Sequence, residues 1–497
     1  MNLSRFFKKE YLILYLIVLF GSFLRFQGVL TNSFAFTYDV GRDMLALWNI
    51  VYLHKIPLIG ATTGLPGIFY GPWWYYFLTP FFIIFSGDPQ GIALTMSLIG
   101  ILTIIIGFVF GKKLGGNFLG LALAAIISVS PVMISLSAQI WNPNIAPLFV
   151  IFILLMLFKI YKEDKKDKSK YYFLLGFLLA FNIDLEIVFG FLLSIGIILS
   201  VTVIKRRKIS IKNIAFFILG ELIIFAPRIF FELRHQFLMT KSFIGFFSGE
   251  SSSAVSKTPA LFLNRLNILF DQFSSTLALD NKFLGLVIFL FIVFCLIFLY
   301  KKAGKNIRYF ITTSLIVVFV FLIGTIFFSH DIWPHYLVGV PVFYILLFGI
   351  SLYLLGQKIS VLIPTLIVLA VFLININPIT LYQSLTKPLW EGDASVYRNQ
   401  VAVIDYVYKQ AHGKGFKYVV YTPPLYDYTY RYLFMWYGSK IYHYSPSIQS
   451  NLAYFILEPD FQYPSRLTDW LKQREADGKV IKSKTVKGGI IVQTRTH

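Results

Sequence analysis

Charge is scarce in this 497-residue chain: 14% of residues are Asp, Glu, Lys or Arg, against 57% hydrophobic. Soluble domains carry about a quarter charged residues. Too few are present here to cover a water-soluble globule of this length, so a soluble enzyme is excluded. Cysteine is nearly absent. Cys295 stands alone, which leaves neither a disulfide framework nor a cysteine metal site. No Gly-rich phosphate loop of the usual spacing is found. Acids are few as well, 24 against 45 Lys and Arg, for a net charge of +21. In a soluble protein that excess would suggest nucleic acid. Here its place relative to the apolar runs matters instead, and no nucleic-acid partner is expected. Disorder is excluded by 52 Phe and 30 Tyr, far too many side chains of the buried kind.

What is abundant is apolar sequence in runs near the ~20 residues that cross a bilayer. Eleven runs qualify: 11–30, 91–111, 118–137, 145–161, 171–184, 187–204, 214–231, 284–300, 309–328, 337–355 and 359–373. A twelfth stretch, 73–85, is short and follows Gly71-Pro72. Arg5, Lys8 and Lys9 precede the first run, and Lys162, Lys165, Lys166, Lys168 and Lys170 follow the fourth. The positive-inside rule puts both groups in the cytoplasm, which requires an even number of crossings between them. Residues 73–85 are therefore read as an interfacial or re-entrant helix on the outer side. Eleven crossings place the C-terminus outside, and the first run reads as a retained anchor. The expected architecture is a polytopic α-helical membrane domain over 1–375, with long outer loops at 31–90 and 232–282. A small extracytoplasmic α/β domain follows over 376–497. In it, 395–410 reads as an amphipathic helix and 416–421, 453–457 and 488–493 as strands.

Polar residues that could carry chemistry gather at the outer ends of the runs. In Tyr38-Asp39-Val40-Gly41-Arg42-Asp43, helical spacing presents Asp39, Arg42 and Asp43 on one face. The alternative is Asp39 as an N-cap with Arg42–Asp43 a solvated pair. The cluster Phe69-Tyr70-Gly71-Pro72-Trp73-Trp74-Tyr75-Tyr76 is an interfacial aromatic belt or a platform for a sugar or lipid headgroup. Gln139, Asn142 and Asn144 either meet sugar hydroxyls or form a turn. Asp184 and Glu186 are loop acids or site residues. Arg228, Arg234, His235 and Lys241 put positive charge on the outer side, where it is rare. That asks for an anionic partner, with Arg the natural fork for phosphate. Snorkelling and a Glu232–Arg228 pair are the alternative. His330, Asp331 and His335 near Tyr336 leave a divalent metal open without forming a known metal signature.

Taken together, these motifs resemble the GT-C superfamily of membrane glycosyltransferases, closest to bacterial relatives of protein O-mannosyltransferases and of the aminoarabinose transferase acting on lipid A. The resemblance spans the chain: Leu24-Arg25-Phe26 near the end of the first run, the Tyr38–Asp43 motif, Tyr70-Gly71-Pro72, the topology and the outer C-terminal domain. It implies transfer of a hexosyl or pentosyl group from a polyprenyl-phosphate donor to a hydroxyl of a glycan, lipid or protein, at the outer face of the cell membrane and with inversion. It assigns Asp39 as base, with Asp43 the alternative and Arg42 beside them. Arg228, Arg234, His235, His335 and Tyr336 fall near the donor phosphate. Tyr70, Trp73, Trp74, Gln139 and Asn142 are candidate sugar contacts. Two departures stand out: Val40 follows Asp39 where relatives often have Glu, and no Lys precedes Pro72. A lipid-linked oligosaccharide polymerase or ligase, or a transporter or flippase, remains the alternative.

Overall fold

The computed structural model describes residues 9–162, 167–205, 209–247, 259–327, 331–376, 392–423, 425–447 and 449–496. Arg5, Lys8, Lys165, Lys166, the Ser-rich stretch 248–253 and His330 lie outside them. Every expected apolar run is helical. The helices are α1 (Lys9–Leu30), α2 (Tyr38–Leu53), α3 (Trp73–Ile84), α4 (Pro89–Val129), α5 (Pro131–Ala138), α6 (Ala146–Tyr161), α7 (Ser169–Leu185) and α8 (Ile187–Lys205). They continue with α9 (Ile211–Arg234), α10 (Leu238–Phe247), α11 (Pro259–Leu277), α12 (Lys282–Leu299), α13 (Lys305–Phe327), α14 (Val340–Gly356) and α15 (Leu362–Asn375). Seven helical segments among the described residues are long and apolar enough to cross a membrane, while α3, α14 and α15 are shorter apolar helices. The protein is a multi-pass membrane protein.

α4 holds two of the expected runs. Its helical geometry breaks at Gly115 and Gly116, where Gly116 has φ +80°. That left-handed conformation is cheap only for glycine, and it lets the second arm fold back on the first. At the far end Pro131 starts α5 and has no N–H to give back to the preceding turn. Arg25 of α1, 2% exposed, fills that gap by donating to the carbonyls of Ile127 at 3.0 Å and Ser128 at 2.9 Å. Both terminal nitrogens of a buried guanidinium are thus met by backbone oxygen at a helix break.

The segment read as an outer loop, 232–282, is instead largely helical. α11 packs against α12, α13 and α14 through Leu269, Phe273 and Leu277. Asn264, Arg265, Asn267, Asp271 and Gln272 dilute its hydropathy, which is why the sequence hides it.

The C-terminal part contains α16 (Tyr397–Ala411), α17 (Tyr428–Leu433), continued as π-helical turns over Phe434–Tyr442, and α18 (Pro464–Lys472). Its strands are β1 (Lys417–Tyr421), β2 (Leu452–Leu457), β3 (Lys479–Thr485) and β4 (Ile491–Thr496). The sheet order is β1-β2-β4-β3, with β1–β2 parallel and the other pairs antiparallel. β3 was not expected, because it is exposed along its whole length and shows no alternating pattern. The last strand runs 491–496 rather than 488–493, since Gly488 has φ +71° and turns the chain first.

This sheet domain is joined to one end of the membrane helices by a common core. Val403, Tyr430 and Phe434 pack in one cluster with Phe36, Leu47 and Trp74. The backbone N–H of Phe36 donates to Ser395 O at 2.7 Å, and that of Tyr397 to Phe34 O at 3.1 Å. The Tyr432 hydroxyl donates to Gly87 O, and Trp436 Nε1 to Ser86 O at 2.8 Å. Gly41 lies so close to α17 that a Cβ there would stand 2.4 Å from the Thr429 nitrogen.

Candidate active site

The acidic motif opens α2. Its N-cap is Thr37, not Asp39. Asp39 lies in the first turn, where the helix dipole favours an anion. Arg42 bridges the two acids. Its Nη1 donates to Asp39 Oδ1 at 2.6 Å, and Nε and Nη2 donate to Asp43 Oδ1 at 3.0 and 2.8 Å. Asp43 is buried, at 2% exposure. It also accepts from Trp74 Nε1 at 2.8 Å and the Tyr75 hydroxyl at 3.3 Å. The solvated-pair reading is therefore corrected: both oxygens of Asp43 are occupied and the group is sealed. Asp39 keeps an open side, with its side chain 26% exposed. Burial first, and then the neighbouring Asp43 charge, raise its pKa above the usual Asp value against the opposing pull of Arg42.

The open side of Asp39 faces a chamber of about 630 Å³ between the start of α2 and the C-terminal domain. Glu458 forms part of its wall. It accepts from the Tyr430 hydroxyl at 2.8 Å and from Gln400 Nε2 at 3.3 Å, and burial pushes its carboxyl up to about 7.

A second polar centre lies where α3, α7 and α9 meet. Asp184, fully buried, accepts from Arg228 Nε at 3.0 Å, Arg228 Nη2 at 2.6 Å and Trp73 N at 3.0 Å. The loop-acid reading of Asp184 is corrected, because the group is an anchor. Gly71 makes room for it: a Cβ at residue 71 would stand 1.5 Å from Asp184 Oδ1. Arg228 is thus fixed from one side, with Nη1 outside those bonds. It does not pair with Glu232, which instead accepts from the backbone of Met239 and Thr240 and caps α10. Arg234 is exposed at the end of α9, nearly two turns further on. His235 stacks on Phe231 at 4.1 Å and its Nδ1 lies 2.9 Å from Phe231 O.

Tyr70 stands between the two centres. Burial first, then Glu186 and Tyr336, raise its hydroxyl pKa, and Asp39 and Arg42 also act on it. Glu186 is buried, accepts from Phe189 N at 2.6 Å, and is pushed up to about 8 by burial. His335 packs edge-on to Trp141 at 4.9 Å and to Tyr336 at 4.5 Å. Burial lowers its pKa to about 4, so near neutral pH it offers an N–H and no charge to an anion.

Several expected sugar contacts are otherwise engaged. Trp74 is buried and spends its N–H on Asp43. Trp73 Nε1 donates to Ile224 O at 2.8 Å. Asn142 is buried and donates to Leu185 O, and Asn144 to Gln139 O at 3.2 Å. The amides at 142 and 144 therefore build the turn into α6, while the Gln139 side chain is exposed. Among the described residues, no group of three or more His, Cys, Asp or Glu stands close enough to hold a metal ion. Sequence reasoning did not place Gln400 and Glu458 in the site. The adjacent Gly71-Pro72 was the one local signal for the close approach of Asp184.

Residues 70–231 match the family described as dolichyl-phosphate-mannose-protein mannosyltransferase. No curated protein matches the chain. Among solved structures, ArnT from Cupriavidus metallidurans bound to undecaprenyl phosphate aligns with a TM-score of 0.62 at 11% identity, covering 97% of each chain. The same protein in the apo state aligns with a TM-score of 0.53 at 12% identity, covering 91% of this chain and 97% of that one. The chain shares the fold of the two ArnT structures, and its segment from the Tyr70-Gly71-Pro72 motif to Phe231 of α9 carries the match to the mannosyltransferase family.

Proposed function

We propose that this protein transfers a sugar from a polyprenyl-phosphate-linked donor to an acceptor hydroxyl at the outer face of the membrane, with inversion at the anomeric carbon. The observation that carries the reading is the contrast within one helical turn. Asp43 is sealed by four donor contacts, while Asp39 is held by Arg42 and left open to a chamber. An acceptor hydroxyl attacking the anomeric carbon must lose its proton, and a carboxylate with a pKa raised toward neutrality is suited to take it. Asp39 is that base, and Asp43 and Arg42 position it. The bond to the donor phosphate oxygen breaks as the new glycosidic bond forms, and the departing phosphate gains charge. Positive charge must meet it there. Arg228 supplies it through Nη1, with Asp184 holding the guanidinium in place, and Arg234 lies nearly two turns beyond.

The family match and the undecaprenyl phosphate bound to the ArnT neighbour support a lipid-linked donor. The N-terminus lies in the cytoplasm and the C-terminal domain outside, a reading supported by the distribution of lysines. Purified protein incubated with a panel of radiolabelled polyprenyl-phosphate sugars tests the reading. Wild-type protein transfers label and Asp39→Asn does not. Full activity in both Asp39→Asn and Asp43→Asn would remove the assignment.

A further inference from the structure

The chamber beside Asp39 has a chemical character of its own. Its polar wall carries the acidic side chains Asp39, Asp393 and Glu458, the Gln400 amide and the hydroxyls of Thr37, Ser395 and Thr422, and among the described residues no Lys or Arg lines it. Gln400 is 2% exposed. Its Nε2 donates to Glu458, while its Oε1 is buried without any hydrogen-bond partner. A buried acceptor left unpaired costs about 1–3 kcal/mol, and an arriving donor removes that cost. The mouth is aromatic and open: Tyr426 is 51% exposed and Phe461 86%, and Tyr38 stacks on Tyr426 at 5.6 Å. The volume of about 630 Å³ falls among small-molecule sites, which run from about 300 to 1,000 Å³.

We propose that this chamber is the acceptor subsite and that it takes an uncharged saccharide, whose hydroxyls donate to Gln400 Oε1 and the wall carboxylates while its C–H face lies on Tyr426 and Phe461. Calling the saccharide an acceptor rests on the transfer reading above; its binding does not. The chemistry selects the class. Saccharide hydroxyls match a wall of carboxyl, amide and hydroxyl groups, and the apolar face of a pyranose matches an aromatic rim. A phosphorylated ligand would set its charge against Asp39 and Asp393 with no Lys or Arg in the lining, since Arg42 is taken up by Asp39 and Asp43, and like-charge juxtaposition is strongly unfavourable.

The test uses the full chain in detergent micelles and saturation-transfer NMR. The probes are the methyl glycosides of glucose, galactose, mannose and N-acetylglucosamine, each beside its 6-phosphate. At least one neutral glycoside should bind, and its 6-phosphate at least about tenfold more weakly. Gln400→Leu and Tyr426→Ala should each weaken the neutral glycoside about fivefold, the size of one net hydrogen bond or stacking contact. Tyr426 is at the surface, so its variant keeps the test decisive if Gln400→Leu fails to fold. The proposal is overturned if no glycoside binds, if the folded variants bind as wild type does, or if the 6-phosphates bind equally well. The two readings separate in the transfer assay. Transfer to a neutral glycan that persists unchanged in Tyr426→Ala sinks the subsite and leaves the transferase. Tyr426-dependent glycoside binding with no transfer from any lipid-linked donor sinks the transferase and leaves a saccharide site.

Discussion

Glu458 offers a quantitative handle on the chamber wall. The group is 7% exposed, and burial moves its carboxyl from 4.5 to about 7. The shift is thus about 2.5 units, and at 1.36 kcal/mol per unit it corresponds to about 3 kcal/mol. The sign follows from proton binding. The folded state prefers neutral Glu458, so between pH 4.5 and 7 the native chain holds a proton that the unfolded chain has released. Stability contributed by this group is therefore present below pH 4.5 and is lost as pH rises through about 7. Glu458→Gln keeps the shape, can still accept from Tyr430 and carries no charge. Hydrogen exchange of the β2 and α16 amides in wild type and variant, at pH 5 and pH 8, reads the local opening energy. The variant should be protected relative to wild type by about 2.5 kcal/mol more at pH 8 than at pH 5. Equal pH dependence in both proteins would refute the reasoning, because it would mean that Glu458 does not change charge in the folded state over this range.

Four further outcomes follow from the site. Asp39→Asn should lower transfer at least about 10²-fold, and the acid limb of the wild-type pH–rate profile should lie above the ordinary Asp range, given the raised pKa; a limb at or below that range would contradict the burial argument. Arg228→Lys should lower kcat more than it changes donor KM, since one ammonium cannot both brace on Asp184 and reach a phosphate; wild-type kinetics would favour simple snorkelling. Gly71→Ala should misplace Asp184 and reduce both thermal stability and activity, as the 1.5 Å approach leaves a methyl no room; an unchanged melting curve and rate would contradict it. Cysteines placed at Ser86 and Glu475 in a Cys295→Ser background should react with an impermeant maleimide on intact cells, and labelling of Glu475→Cys only after permeabilisation would overturn the outward orientation.

The apolar runs were legible because crossing a bilayer demands about twenty apolar residues in sequence, a local property. The kink at Gly115 and Gly116 also lay between two visible runs. α11 was not legible, since its polar residues fall at helical spacing within a half-buried helix. β3 was not legible either, because no face of it is buried. Within the site, Asp39, Arg42 and Asp43 are neighbours on one helix and could be read together. The division of labour between the two acids could not, because it depends on Trp74 and Tyr75, which pack against α2 from α3. The pairs Asp184–Arg228 and Gln400–Glu458 join residues 44 and 58 positions apart. Spacing along the chain carries no trace of such contacts.

The bonds between Phe36 and Ser395 and between Phe34 and Tyr397 have a consequence for biosynthesis. Residue 36 is followed by 395 − 36 = 359 residues before its partner exists. At about 5–20 residues per second, that is roughly 20–70 seconds of synthesis. Through this interval the start of α2 stands without Thr429 against Gly41, and the chamber beside Asp39 has only one wall. The acidic motif is therefore among the first functional pieces made and among the last completed. A ribosome that stops between α15 and α17 releases a chain with its membrane helices made and no finished site. An intact chamber thus requires that synthesis has passed its last lining residue, Phe461.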